Sequence, residues 1–386
     1  MRFGLLLVIL VACGDDSAPS DAGTDTNDMM DAGVDDVGVD AFDAGPMTLE
    51  ERLAARGEFP VGYTTIQVTY DRPDAMGERE LELHVWYPAQ EGAEGTRPAY
   101  PFRRSDVAVT DAPAAAGPFP VLAWSHGHQA IPDAASDLME HFASHGWLVL
   151  SPTHVGNTTL DGPDRVTSIY YLRPHDVSRS LDALETLPGD HPLAGLVGSP
   201  KIISGHSFGG YTAMAIAGAS YTDRLIDRCA GDELSADFCS EMDAESEALF
   251  RAGFEDDRFD AIIAMASGDS TLFGDGIADL DIPLLQMVAE GDGHPPGDAS
   301  GDLYWQNSSG ADDLRVNMLE GGHNNYTDTC LLVPLRCSET LEASDALVWF
   351  RAYALAWTRA VVQGDAEVAE LLAGEPLFPQ MEIMRR

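Results

Sequence analysis

Lys201-Ile202-Ile203-Ser204-Gly205-His206-Ser207-Phe208-Gly209-Gly210 decides the reading of this chain. Lys201 to Ser204 is a short apolar strand, and Ser207 to Ala219 is a helix of small residues. Between them lies Gly205-x-Ser207-x-Gly209, a serine flanked by glycines on a strand-to-helix turn, which is what a nucleophile elbow requires. Small flanks let strand and helix pack closely around the turn. The Ser207 oxygen then stands at a helix N-terminus, where the dipole favours developing negative charge. Ser207 is therefore the candidate nucleophile. His206 beside it is assigned to packing, because adjacent side chains diverge along such a turn.

A serine hydroxyl needs a base to take its proton. The base is expected on a loop after the last strand, read as Leu314 to Leu319. Glu320-Gly321-Gly322-His323 follows it, and the paired glycines let the loop turn back and present His323. His323 in turn needs a carboxylate to fix its tautomer. Asp292 follows the strand Pro283–Ala289 and is preferred. Asp269, just after the strand Ala261–Ala266, is the alternative, and Glu290 a lesser one. For negative charge on a carbonyl oxygen, two backbone N–H groups are needed. Phe208 supplies one. The loop Ser125-His126-Gly127-His128 after the strand Pro120–Trp124 supplies the other, from His128 or else Gln129. His126, His128 and His154 fall at strand ends near the site, within reach of substrate. His141, His145 and His191 have structural readings.

Around this core the periodicities alternate. Tyr63–Tyr70 and Glu80–Tyr87 read as a hairpin. A helix at Asp133–His145, a strand at Trp147–Ser151, a helix at Pro174–Leu187 and a closing helix at Leu341–Val362 complete the order, with a short helix at Thr48–Arg56 ahead of it. Strands alternating with helices predict an α/β fold, a mostly parallel sheet with helices on both faces. One catalytic domain spans 47–386.

The ends carry other information. Residues 1–13 form a short basic and apolar leader, too short to span a bilayer. It ends Leu10-Val11-Ala12-Cys13, similar to a bacterial lipobox, with Cys13 as the lipidated residue. Residues 14–46 hold ten Asp and no Lys or Arg, so they form a self-repelling, disordered linker. The protein is expected to be exported and lipid-anchored to the cell envelope, touching membrane through that anchor alone. The remaining four cysteines suit local disulfides, Cys229–Cys239 and Cys330–Cys337. Their spacing does not suggest zinc, and no metal or organic cofactor is implied. The formal net charge of −42, with Lys201 the single lysine, excludes a nucleic-acid partner on electrostatic grounds.

Together, Val85-Trp86-Tyr87-Pro88, Trp124-Ser125-His126-Gly127, Phe142 to Trp147, Arg173-Pro174-His175-Asp176, Gly205 to Gly210 and Gly322-His323-Asn324 resemble the α/β-hydrolase superfamily. Within it they look like the platelet-activating-factor acetylhydrolase and dienelactone-hydrolase-like branch. The resemblance covers roughly Pro60 to Trp357 and implies the order Ser, Asp, His. Dienelactone hydrolases proper carry a cysteine where this chain has Ser207. The acetylhydrolases place their acid directly after the strand matched by Ala261–Ala266, where this chain has Ala266-Ser267-Gly268. Arg173 and Asp176 are assigned to anchoring a helix.

These residues imply a serine carboxylic-ester hydrolase acting on a small-molecule, lipid or polymer ester. A phospholipase A2-like acetylhydrolase, a cutinase-like polyester hydrolase and a non-catalytic scaffold lipoprotein are the alternatives. Tyr221–Asp257 is expected to be a helical, disulfide-pinned excursion. Tyr304 and Trp305 are candidate pocket walls.

Overall fold

The hairpin β1 (Val61–Asp71) and β2 (Glu78–Pro88) pairs antiparallel along its whole length, from Val61 against Pro88 to Asp71 against Glu78. The computed structural model describes residues 46–100, 103–162, 165–221, 224–292, 300–333, 337 and 341–386. The leader, Cys13 and all of the linker but Pro46 lie outside the described residues. Ahead of the hairpin, α1 (Leu49–Ala54) begins on a capping box. The Thr48 hydroxyl accepts from the Glu51 N–H, and the Glu51 carboxylate accepts from the Thr48 N–H, which satisfies two otherwise orphaned donors.

The rest of the sheet alternates with helices, as the periodicity predicts. In chain order come β3 (Ala108–Thr110), β4 (Phe119–Ser125), α2 (Ser136–Ser144), β5 (Leu148–Pro152), α3 (Thr167–Glu185), β6 (Val197–His206) and α4 (Phe208–Ile216). The excursion α5 (Leu225–Ala230), α6 (Ala236–Cys239) and α7 (Ala244–Ala252) follows. Then come β7 (Ala261–Met265), β8 (Leu284–Ala289), α8 (Ser300–Asn307), β9 (Leu314–Met318), α9 (Thr329–Leu332), α10 (Ala343–Trp357), α11 (Ala366–Ala373) and β10 (Met381–Arg385). Among the described residues ten strands form one sheet in the order β10-β9-β8-β7-β6-β4-β5-β2-β1-β3. Strands β5, β4, β6, β7, β8 and β9 run parallel, with antiparallel pairings at β2–β5, β1–β2 and β9–β10. This is the α/β-hydrolase architecture.

Side chains alternate across each strand, and the central strands are apolar on both faces because helices cover both. Val121 and Ala123 of β4 enter one core with Val177, Leu181 and Leu184 of α3 and Tyr211 of α4. Leu122 and Trp124 enter the other with Leu138, Met139 and Phe142 of α2 and Phe350 and Tyr353 of α10.

The sequence reading lacks β3, α8, α9 and α11, and three further elements depart from it. Helix α3 begins at Thr167, a full two turns before Pro174, which sits inside it. Proline removes the hydrogen bond to the carbonyl four residues back. That carbonyl, of Tyr170, instead accepts from the Tyr211 hydroxyl at 3.1 Å. Leu314–Met318 is not the last strand, since β10 pairs with it from Met381 to Arg385. Only Met381 of β10 is buried, so its register rests on backbone bonds and leaves no apolar pattern to read. The closing helix ends at Trp357 and passes through a π-helical turn, Thr358–Val362.

Both disulfides join the local partners, Cys229 to Cys239 and Cys330 to Cys337. The excursion between β6 and β7 is helical and carries the first of them. Among the described residues no helix is long and apolar enough to cross a membrane.

Candidate active site

Strand β4 lies beside β6 with Ser125 opposite Gly205. The chain leaves β4 toward β5 on one side and returns to β6 on the other, so a crevice opens at the carboxyl ends of these strands. The loop after β4 and the turn after β6 meet there.

The turn after β6 is sharp. Ser207 has φ 57° and ψ −120°, a conformation that L side chains rarely adopt. It is held by its N–H donating to the Met265 carbonyl at 2.9 Å and its carbonyl accepting from Gly210 at 2.9 Å. The flanking glycines are required by contact. A Cβ on Gly205 would lie 2.2 Å from the Gly209 carbonyl oxygen, and one on Gly209 would lie 1.8 Å from the Ser125 carbonyl oxygen. Phe208 opens α4, and its N–H belongs to the first turn, which has no intrahelical acceptor.

His323 follows β9 through Gly321-Gly322 and begins a 3-10 turn, His323–Tyr326. The turn is fixed from within by Gly322 N–H donating to Asn325 Oδ1 at 2.7 Å. It is fixed from the nucleophile side by His206, whose Nε2 donates to the His323 carbonyl at 2.7 Å. His206 thus packs, as read from the sequence, and also braces the histidine loop. Asp292 leaves β8 and meets the ring at Nδ1, with both carboxylate oxygens 3.1 Å from His323 Nδ1. The two loops are laced by Gly291 N–H donating to the Gly321 carbonyl at 2.8 Å.

The alternative acids are elsewhere. Asp269 accepts from Arg165 Nη1 at 2.7 Å, with the Tyr170 hydroxyl at 3.5 Å. Glu290 accepts from the Glu320 N–H at 3.1 Å, a brace between the same two loops.

Ser207, His206, His323, Gly127, His128 and Gln129 line a cleft of about 860 Å³, a volume suited to a drug-sized ligand. A Cβ on Gly127 would be 3.4 Å from the Ser207 Cβ, so the loop after β4 lies directly over the serine. His128 Nδ1 accepts from Asn157 Nδ2 at 2.9 Å, which leaves its proton on Nε2. Burial, then the nearby Arg165, holds His128 below the ordinary histidine range.

Two expectations about neighbouring residues are corrected. His126 and His154 are fully buried behind the loop rather than on the rim. Tyr304 and Trp305 lie on α8 and do not line the cleft. Tyr304 is buried with its hydroxyl on the Gly268 carbonyl at 2.8 Å, and Trp305 lies under the Arg386 guanidinium, 4.8 Å from the ring centroid. The far end of the cleft is built instead by Tyr100, Arg103, Asp133, Ser136 and Asp328. Tyr100 and Arg103 come from an irregular segment between β2 and β3, where no periodicity could have marked them. Among the described residues, no group of histidine, cysteine and carboxylate side chains is placed to hold a metal.

Comparison with known proteins bears on the fold and the chemistry. The chlorophyllase family model matches residues 98–230, a span that includes Ser207 and the loop after β4 and stops before Asp292 and His323. The solved structure of a ferulic acid esterase from Streptomyces cinnamoneus is similar with a TM-score of 0.63 at 20% identity, covering 86% of this chain and 99% of that one. No curated protein matches the chain.

Proposed function

We propose that this ester-hydrolysing enzyme of α/β-hydrolase fold is a serine carboxylic-ester hydrolase that works through an acyl-enzyme, with Ser207, His323 and Asp292 as its triad. The observation that carries the reading is the Asp292 carboxylate on His323 Nδ1 at 3.1 Å, in the cleft that also holds Ser207.

The geometry supports the following steps. Asp292 keeps the proton of His323 on Nδ1, so Nε2 is the basic nitrogen. His323 takes the Ser207 proton as the serine oxygen attacks the ester carbonyl. The resulting oxyanion is met by the N–H groups of Phe208 and His128. His323 then protonates the leaving alcohol, and water repeats the sequence on the acyl-enzyme.

The substrate is an ester with an apolar portion. Leu160 and Val333 line the cleft and are 89% and 43% exposed, large apolar side chains set where an acyl chain or a polymer would lie. That favours short-chain or oxidised phospholipids and polyesters as the narrower readings. Export and anchoring through Cys13 complete the proposal, on the strength of the lipobox-like Leu10-Val11-Ala12-Cys13.

The test is turnover of a p-nitrophenyl ester series by wild type and Ser207→Ala. Hydrolysis that vanishes in the variant supports the reading, and the chain-length optimum sizes the acyl pocket. A folded protein that hydrolyses no ester and does not react with a fluorophosphonate would sink it. Loss of metabolic palmitate labelling in Cys13→Ala tests the anchor.

A further inference from the structure

Arg173 is a fully buried cation on α3 that hydrogen-bonds to neutral acceptors alone. Its Nε donates to Thr212 Oγ1 at 3.1 Å, its Nη1 to Asn157 Oδ1 at 2.8 Å, and its Nη2 to Ser125 Oγ at 3.0 Å and to the His126 carbonyl. Among the described residues no carboxylate is within ion-pair distance of it. Asp176, one turn along the helix, is taken by Arg79 at 2.6 Å, by the Tyr70 hydroxyl at 2.7 Å and by His154 Nδ1 at 2.8 Å. Burial pulls the Arg173 guanidinium down to about 9, which leaves it charged at neutral pH. An unpaired buried charge is expensive, so a fold that only needed to tie these elements together would do better with a neutral donor.

The place of the charge supplies a reason. Through the His126 carbonyl, Arg173 holds the start of the loop over Ser207. Through Asn157 it reaches His128, whose Nδ1 lies 2.9 Å from Asn157 Nδ2. Its guanidinium carbon stands 4.6 Å from the centroid of the Phe208 ring. One side chain therefore touches Phe208 directly and His128 through Asn157, the two residues proposed above to supply the oxyanion N–H groups.

It is itself clamped from behind. Ser125 Oγ, which accepts from Arg173, donates to His154 Nε2 at 2.9 Å, and His154 Nδ1 donates to Asp176. Burial keeps His154 neutral, down at about 3. Ser125, His154 and Asp176 have the connectivity of a catalytic triad, but all three are fully buried. The Ser125 oxygen serves as an acceptor for Arg173 and meets no substrate.

We propose that Arg173 is a positioning residue whose unpaired charge is the standing counter-charge for the oxyanion that forms beside Phe208 and His128. The inference rests on the serine-hydrolase reading above. The charge is poorly compensated in the free enzyme and better compensated as the carbonyl oxygen becomes anionic, which is differential stabilisation of the transition state.

Asn157→Asp tests this, because it places a carboxylate against Arg173 at nearly unchanged volume. The expected result is a protein whose Tm is no lower than wild type. Its kcat falls roughly 100- to 1000-fold with little change in KM, the scale of losing one oxyanion contact. Its affinity for a phenylboronic acid, which forms an anionic tetrahedral adduct on the serine, falls in parallel. Asn157→Ala, which drops the contact without adding charge, loses less. Wild-type turnover and boronate affinity in Asn157→Asp, or an equal loss in Asn157→Ala, overturns the inference. Should Asn157→Asp not fold, Arg173→Lys and Arg173→Gln decide: greater turnover in the lysine variant supports it, and equal turnover overturns it. Wild type that neither hydrolyses esters nor labels at Ser207 with a fluorophosphonate removes the underlying reading as well, a failure distinguishable from the others.

Discussion

Both carboxylate oxygens of Asp292 lie 3.1 Å from Nδ1 of His323, while Asp269 is held in an ion pair with Arg165 at 2.7 Å. Asp292→Asn loses the carboxylate that keeps the Nδ1 proton in place and is expected to lower kcat by about 10³- to 10⁴-fold, the scale seen when a triad acid becomes an amide. Asp269→Asn keeps most of its turnover. Parallel kinetics on p-nitrophenyl acetate check this, and a larger loss in Asp269→Asn would reverse the assignment.

His206 donates to the His323 carbonyl at 2.7 Å. Removing one such hydrogen bond costs about 1 kcal/mol. If that loss falls on the placement of the histidine loop, His206→Ala lowers kcat about fivefold with KM little changed. His206→Gln, which keeps a donor, recovers part of the loss. An unchanged kcat in His206→Ala would show that the loop holds itself.

Asp328 lies five residues beyond His323 and ties that loop to α2. Its carboxylate accepts from the Ser136 hydroxyl and has Arg103 Nε at 3.4 Å. Burial outweighs Arg103 and pushes the Asp328 carboxyl up to about 7, against about 4 in an unfolded chain. The folded state therefore holds a proton that the unfolded chain has released. The stability this group contributes is complete below about pH 4 and is lost as pH rises to about 7. The Tm of Asp328→Asn relative to wild type should accordingly climb across that window. A Tm difference that is flat with pH would count against this assignment.

Gly209→Ala would put a Cβ 1.8 Å from the Ser125 carbonyl oxygen, a contact between two backbones that neither strand nor helix can relieve cheaply. The expected outcome is a protein with a sharply lowered Tm or none in the soluble fraction. Gly253→Ala meets no atom within 4 Å, but its φ of 76° with ψ of 176° lies in a region that is essentially glycine-only, so it costs about 1–3 kcal/mol of backbone strain. Thermal melts of the two variants side by side separate contact from conformation.

What the chain shows along its own length was legible before any contact was known. Gly205 to Gly210 in its strand–turn–helix setting predicts the strained turn that Ser207 adopts, and Gly321-Gly322 predicts the loop that presents His323. The alternation of apolar strands with helices predicts the parallel sheet, because both signals are local and depend on near neighbours. Where the pattern was interrupted or absent, the reading fell short. Pro174 suggested a helix start, yet a hydroxyl from α4 satisfies the carbonyl it frees. Strand β10 has almost no buried face to betray it.

The sequence by itself therefore determined the fold class, the candidate nucleophile and the candidate base, since each is written in a few consecutive residues. Tertiary structure alone decided which aspartate meets His323, which aromatic residues line the cleft, and that Arg173 lies between Phe208 and His126. Those relationships join residues tens of positions apart, and only the packing of helices on a shared sheet brings them within hydrogen-bonding distance.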